Sequence, residues 1–406
     1  MRCTRALIYS DNLRSNILEI KKLLNPKTRL CCAVKADGYG NGAVPAAKIA
    51  VECGAEFLAI ATVQEGIELR ENGINAKLLL LSPCSPEELD EVAAHNIIPV
   101  LFDEEMILLF DDASKKCALP PNPSTNKTPC PNPSINQSIN EKRGVFLAID
   151  TGMGRIGCLP NEAAALAKKI DESKNIRLMG MLTHFAVSDS ISEENQAYTE
   201  SQFASFTAAI DAIKAEGINP GICSCSASAA AIANSKMQLD MVRPGIILYG
   251  YYPDEVTKQY LESKGIHLNL KPVMQLETKI AAIRRFKPGA SISYGRTWKT
   301  TAETDIAVLP IGYADGLLRR LSPGLKVTIN GKAYPVVGRI CMDQCMVDIG
   351  RDNKSVKRWD TAIIFGLKDG GKDSSLSDAA DLAKLSATIP YEIMTAITKR
   401  VPRILV

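Results

Sequence analysis

Ala33-Val34-Lys35-Ala36-Asp37-Gly38-Tyr39-Gly40-Asn41-Gly42 is the stretch on which the reading of this chain turns. A lysine ends the apolar run Leu30-Cys31-Cys32-Ala33-Val34, and a glycine-punctuated turn follows at once. A short apolar run closed by such a turn reads as a buried strand leading into a loop. The lysine at that junction is either a surface charge closing the strand or an amine at the mouth of a site. There, partial desolvation favours the neutral form, which attacks carbonyls and forms Schiff bases. Tyr39, four residues on, is within reach of a phosphate that the same turn would hold.

Outward from this junction the strand-to-helix step recurs. Strand-like runs fall at 30–34, 57–63, 77–81, 97–102, 145–149, 177–182, 221–224 and 241–248, with helical stretches such as 44–53, 64–72, 161–169 and 193–216 between them. Ahead of them, Ser10 or Asp11 is placed to cap a helix whose stripe is Leu13, Ile17, Ile20 and Leu24. This alternation, repeated about eight times, predicts an α/β fold with a closed (β/α)8 barrel over residues 10–250. A doubly wound open sheet is the rival, weakened by the lack of Gly-x-Gly-x-x-Gly after the first strand. Residues 118–143, rich in Pro, Asn and Ser, cannot bury enough surface to order themselves and read as a flexible surface insertion. From about Tyr252 the texture changes to prolines, β-branched runs and short turns, with one late helix near 376–386. Residues 251–406 are therefore expected to form a mainly β C-terminal domain, joined by residues 1–9.

The 406 residues are 46% hydrophobic and 23% charged, as in a soluble globular protein, and the net charge of +3 argues against nucleic acid or an anionic membrane as partner. No apolar run is long enough to span a bilayer, and Ala6-Leu7-Ile8-Tyr9 is too short for a signal-peptide core, so a cytoplasmic location is expected. Cys31, Cys32 and Cys223 lie in apolar runs, where a thiol packs as a small hydrophobe. Cys223-x-Cys225 and Cys341-x3-Cys345 lack zinc-site spacing, and with three histidines in the chain no metal is expected.

In a barrel, the C-terminal strand ends converge on one pocket. Lys35 ends the first strand, Asp150-Thr151-Gly152-Met153-Gly154-Arg155 the fifth and Thr183-His184-Phe185 the sixth. Ser224-Cys225-Ser226-Ala227-Ser228 ends the seventh, and Met241-Val242-Arg243-Pro244-Gly245-Ile246 belongs to the eighth. Arg155 and Arg243 stand beside glycines that let backbone approach a ligand. His184 reads equally as a core histidine or a site group. Ser228 is either a helix N-cap or a phosphate contact, and the two are compatible.

Residues 33–42, 150–157 and 239–250 resemble alanine racemase, as do Ser293-Tyr294-Gly295-Arg296-Thr297-Trp298, Ile311-Gly312-Tyr313-Ala314-Asp315-Gly316 and residues 337–343. So do Tyr391-Glu392-Ile393 and Arg400-Val401-Pro402-Arg403, and the matches run in order along nearly the whole chain outside the Pro/Asn insertion. The resemblance implies an isomerase that interconverts L- and D-alanine through an aldimine of pyridoxal 5'-phosphate, supplying D-alanine for peptidoglycan. It makes Lys35 the cofactor lysine and one of two bases, with Tyr294 the other, contributed by the second subunit of a homodimer with shared sites. Arg155 and His184 match the groups that favour the tyrosine's phenolate, and Arg243 matches the arginine facing the pyridine nitrogen. Tyr39, Ser228, Gly245, Ile246 and Tyr391 match the phosphate contacts. Met342 and Asp343 match residues near the substrate carboxylate, and Tyr313 and Cys341 match a narrow passage for a small side chain. The alternatives are a broad-specificity racemase acting on serine, a decarboxylase of similar architecture, and a non-catalytic cofactor-binding protein.

Two positions depart from the family. Ala148 stands where a lysine, often carbamylated, is usual, so Arg155 lacks its negative neighbour. Ser226-Ala227-Ser228 stands for the usual Ala-Asn-Ser, which predicts somewhat looser cofactor binding. If a chloride balances Arg155, alanine turnover in chloride-free buffer should drop and recover on adding chloride back; indifference to chloride would dismiss that replacement.

Overall fold

A computed structural model describes residues 2–118, 142–367 and 376–406. The chain opens with β1 (Arg5–Ile8) and α1 (Ser10–Leu23) and then enters the barrel. Its strands are β2 (Arg29–Ala33), β3 (Phe57–Ile60), β4 (Lys77–Leu80), β5 (Ile97–Leu101), β6 (Arg143–Ala148), β7 (Ile176–Leu182), β8 (Ile222–Ser224) and β9 (Met241–Val242). They form one sheet in the order β8-β7-β6-β5-β4-β3-β2-β9, every ladder parallel. Parallel strands covered by helices are apolar along their whole length, and Phe57–Ile60 and residues 78–80 are buried throughout. Between β8 and β9 no ladder forms. The ring closes there through the Asp240 N–H to the Cys223 carbonyl at 3.1 Å and the Arg243 N–H to the Ser226 carbonyl at 2.9 Å.

Three local expectations need correction. The second barrel strand, expected to run to residue 63, stops at Ile60 because Thr62 caps the helix Val63–Glu71 in a reciprocal capping box with Glu65. The eighth strand is only Met241–Val242, because Pro244 removes a ladder donor and Gly245 turns the chain into a buried 3-10 turn over Ile246–Tyr249. Neither Ser10 nor Asp11 caps α1. Its N-cap is Tyr9, and the Ser10 hydroxyl donates instead to the Val406 carbonyl at 2.8 Å.

The C-terminal part is mainly β. β10 (Met274–Lys279), β11 (Ala282–Phe286), the short ribbon β12 (Ser291–Ile292) with β13 (Trp298–Lys299), β14 (Thr304–Leu309), β15 (Lys326–Ile329), β16 (Lys332–Val337), β17 (Cys345–Gly350), β18 (Thr361–Phe365) and β19 (Arg403–Leu405) follow in sequence. The nine-stranded sheet runs β11-β14-β17-β16-β15-β18-β10-β1-β19. Thus β1 pairs antiparallel with β10 and parallel with β19, tying both ends of the described chain into the second sheet. In place of one late helix there are two short ones, Ala379–Leu385 and Pro390–Thr395. The core of the expected insertion, 119–141, lies outside the described residues. No helix among the described residues is long and apolar enough to cross a membrane.

The junction between the two parts rests on a buried amide. Asn16 on α1 is fully buried; its Nδ2 donates to the carbonyls of Leu248 (2.9 Å) and Lys271 (2.8 Å), and its Oδ1 accepts from the Lys271 N–H at 2.8 Å. Asn16→Leu strands two carbonyls and an N–H in the interior, so urea denaturation should show a loss of about 3 kcal/mol.

Candidate active site

Lys35 follows β2, and the turn Lys35–Tyr39 does not wind as an ordinary helix. Ala36, Asp37, Gly38 and Tyr39 have φ of 52°, 53°, 60° and 53°, one turn of left-handed helix. For L-residues this costs about 1–2 kcal/mol each, so the turn exists only because its surroundings hold it. Within the turn, the Gly38 N–H reaches the Val34 carbonyl (2.8 Å), Gly40 N–H the Ala36 carbonyl (2.9 Å) and Gly42 N–H the Asp37 carbonyl (2.8 Å). From outside, Glu65 Oε1 accepts the Ala36 N–H at 2.7 Å, and Arg403 Nε donates to the Gly40 carbonyl at 2.9 Å. Gly40 admits no side chain, since a Cβ would lie 2.3 Å from the Met394 carbonyl oxygen.

Two adjoining cavities open at this turn. One of about 400 Å³ is lined by Lys35, Tyr39, His184, Ser228, Arg243, Gly245, Ile246 and Tyr391 among others. The second, about 220 Å³, shares Lys35, His184 and Arg243 and adds Arg155 and Ala148. Nine of the residues expected at the cofactor side therefore meet at one barrel mouth: Lys35, Tyr39, Arg155, His184, Ser228, Arg243, Gly245, Ile246 and Tyr391. Tyr39 stacks on Tyr249 with centroids 5.0 Å apart, and its tilt against Tyr391 closes one wall. The Ser228 hydroxyl accepts the Gly245 N–H at 2.9 Å. Ser228 is not the N-cap; it is the first residue of the helix Ser228–Ala233, whose N-cap is Ala227.

The charges at this mouth act on one another. Burial pulls the Lys35 ammonium down and Arg155 pulls it further; Glu65 opposes them, and Arg243 adds a last, smaller lowering. Burial, then Arg243, Arg155 and Lys35, bring His184 to about 3. The imidazole is therefore neutral near pH 7 and can offer a neighbour a hydrogen bond but no positive charge. Burial lowers Arg243 too; its Nη1 donates to Ser224 Oγ at 2.5 Å and its Nη2 to the Thr183 carbonyl at 2.6 Å. Burial pushes Tyr39 up to about 12 and Tyr391 upward as well, leaving both as neutral phenol donors. Asp150 is raised by burial, yet the N–H groups of Gly152, Gly154, Met153 and Arg155 outweigh that and hold it below the usual carboxylate range. Its carboxylate is thereby committed to shaping the loop that carries Arg155.

The other expected residues lie elsewhere. Tyr294, 69% exposed, lines a cavity of about 570 Å³ on the β domain together with Cys341, Met342 and Asp343. Tyr313 joins them through its N–H, which donates to the Cys341 carbonyl at 3.1 Å. Thr183, Ser224 and Glu65 carried no assigned role in the sequence. The Thr62-x-x-Glu65 pattern preceding a helix was a visible signal for the last, whereas Thr183 and Ser224 gain their function only from the approach of Arg243.

A parallel barrel with a desolvated lysine at its mouth, followed by a β domain carrying its own pocket, defines a two-domain enzyme of amine chemistry. The family model for the alanine racemase N-terminal domain matches residues 8–253, and that for the C-terminal domain matches residues 273–405. An alanine racemase of Treponema denticola is 45% identical over 100% of this chain and 99% of its own length, and one of Clostridium novyi is 40% identical over 100% and 95%. Among solved structures, alanine racemase of Clostridium difficile 630 superposes with a TM-score of 0.87 at 36% identity, covering 100% of this chain and 96% of the other. The same enzyme in complex with cycloserine gives 0.84 at 35% identity, over 100% and 96%. The chain belongs to the alanine racemase family, a family of isomerases.

The neutral His184 has a thermodynamic consequence. Its folded value of about 3 lies below the ordinary 6.5, so between those values the unfolded chain binds a proton that the folded chain refuses. Its stabilising contribution is complete above about pH 6.5 and is lost as pH falls towards 3. Urea denaturation at about pH 7 and about pH 4.5 should show wild type losing more stability than His184→Gln; equal losses would show that the folded imidazole takes the proton.

Proposed function

We propose that this protein interconverts L- and D-alanine in the cytoplasm, with pyridoxal 5'-phosphate at the barrel mouth and protons exchanged by Lys35 and by Tyr294 of the partner subunit. The carrying observation is the placement of the two bases: one desolvated amine inside the barrel, and one exposed phenol on a separate cavity of the β domain.

The residues fit the cofactor. A Cβ at Gly245 would lie 2.4 Å from Tyr39 Oη, so the glycine is what lets that phenol sit against the backbone at the cavity wall, with its hydroxyl at the place a phosphate would need a donor. Ser228, Tyr39, Tyr391 and the Ile246 N–H supply neutral donors for a phosphate, while the Gly245 N–H, already given to Ser228 Oγ, leaves that hydroxyl's own proton to donate. Lys35 supplies the amine, and Arg243 supplies a fixed guanidinium that keeps its proton, which suits an unprotonated pyridine nitrogen. When bound, the cofactor supplies electron delocalisation that acidifies the substrate α-carbon. Lys35 then holds or releases a proton at Nζ on one face, where desolvation and two arginines make the amine give it up more readily. Tyr294 of the partner subunit does so at Oη on the other, accepting a hydrogen bond from neutral His184 with Arg155 nearby. The partner's Met342 and Asp343 stand beside the substrate carboxylate, and the partner's Tyr313 and Cys341 limit the side chain. D-Alanine made in this way would serve peptidoglycan synthesis.

Incubation with L-alanine in D2O should remove optical activity while deuterium enters the α-position of both enantiomers; L-serine run in parallel sets the specificity. Protein that takes up the cofactor yet leaves alanine unchanged would defeat this reading. Lys35→Ala and Tyr294→Phe should each be inactive alone, and subunits co-expressed in equal amounts should recover about a quarter of wild-type activity, since half the dimers carry one intact site. No recovery would show that both bases come from one chain.

A further inference from the structure

The motifs Tyr313-Ala314-Asp315-Gly316 and Arg400-Val401-Pro402-Arg403 contain charged residues that the chemistry above does not use. The structure joins them. The Asp315 carboxylate is completely buried, yet it faces two guanidiniums: Arg2 donates to its two oxygens at 2.5 and 2.8 Å, and Arg400 Nε lies 3.4 Å from Oδ1. The Gly312 N–H also donates to Oδ2 at 3.1 Å. Arg400 continues outward, and its Nη2 donates to Asp343 Oδ1 at 2.8 Å. Charge therefore alternates in a row: Arg2, Asp315, Arg400, Asp343.

The row runs beneath the loop that carries the β-domain pocket. Tyr313 N–H and Ala314 N–H donate to the carbonyls of Cys341 (3.1 Å) and Met342 (3.0 Å), and a Cβ on Gly312 would lie 2.3 Å from the Cys341 oxygen. The turn that holds Asp315 is thus clamped to the loop that ends in Asp343. Arg400 and Asp343 are each about half exposed, with side-chain accessibilities of 48% and 55%, and an ion pair in such a setting adds little to stability. Its geometry is nonetheless set in advance, because the buried Asp315 fixes the arginine.

We propose that Arg400, anchored by Asp315, is a positioning residue that neutralises Asp343 where the carboxylate of the amino-acid substrate arrives. This rests on the reading that Asp343 stands beside that carboxylate in the partner's site. An aspartate left unpaired there would repel an anionic group, whereas one paired to Arg400 presents no net charge to it. Binding of substrate therefore depends on the arginine's charge, and the proton transfers do not.

The test is steady-state kinetics with L-alanine on wild type, Arg400→Ala, Arg400→Lys, Asp343→Asn and the double variant Arg400→Ala/Asp343→Asn. Arg400→Ala should raise KM about tenfold with kcat within about twofold, the size of one charge repulsion in a half-wet site. Arg400→Lys should stay within about threefold of wild type, because the charge remains. In the Asp343→Asn background, Arg400→Ala should leave KM unchanged, and added salt should narrow the defect of the single variant by screening. If melting shows Arg400→Ala to be unfolded, Arg400→Gln takes its place. The proposal is overturned if KM is unmoved, if lysine is as poor as alanine, or if the defect persists in the Asp343→Asn background. Wild type inactive on L-alanine would overturn the underlying reading as well, whereas an active wild type with an indifferent Arg400 variant would overturn this proposal alone.

Discussion

The left-handed turn after Lys35 is the constraint on which the rest of the barrel mouth depends. Three of its four left-handed residues, Ala36, Asp37 and Tyr39, have side chains that disfavour the conformation. What holds them is tertiary: a carboxylate from the next barrel strand's helix at Ala36, and a guanidinium from the far end of the chain at Gly40. The result brings the Lys35 amine and the Tyr39 phenol to one cavity within five residues.

Around that turn, electrostatics work by exclusion more than by pairing. Lys35, Arg155 and Arg243 share one small volume, and the acid that lines it, Asp150, spends its oxygens on four backbone donors. The amine and the imidazole respond by giving up their protons more readily. Arg243 keeps its own, so a fixed positive group stands beside them. Such a cluster of positive groups attracts anionic ligands.

The barrel and the β domain were legible because their signals are local and repeated: eight apolar runs with helices between them, then β-branched runs cut by turns. The rim residues were legible because strand ends converge in any barrel. Less was visible where tertiary contacts overrule local preference. The apolar Ile246-Ile247-Leu248 reads as strand, yet it packs as a buried 3-10 turn because Pro244 and Gly245 break the ladder ahead of it. The left-handed turn was hidden because two of its anchors, Glu65 and Arg403, lie 30 and 368 residues from Lys35. The neutrality of His184 came from burial among three cations, which no one-dimensional pattern records.

Arg243 is also the clasp of the ring. Its N–H bonds Ser226 and its side chain holds Ser224 and Thr183, so the one seam without a ladder is fastened by a residue that faces the pocket. Closure of the barrel and one wall of the pocket thus depend on the same guanidinium. A kinetic change on replacing it mixes two causes, an altered partner for the ligand and a loosened hoop. Only a comparison with Ser224 variants, which touch the seam without facing the ligand, separates them.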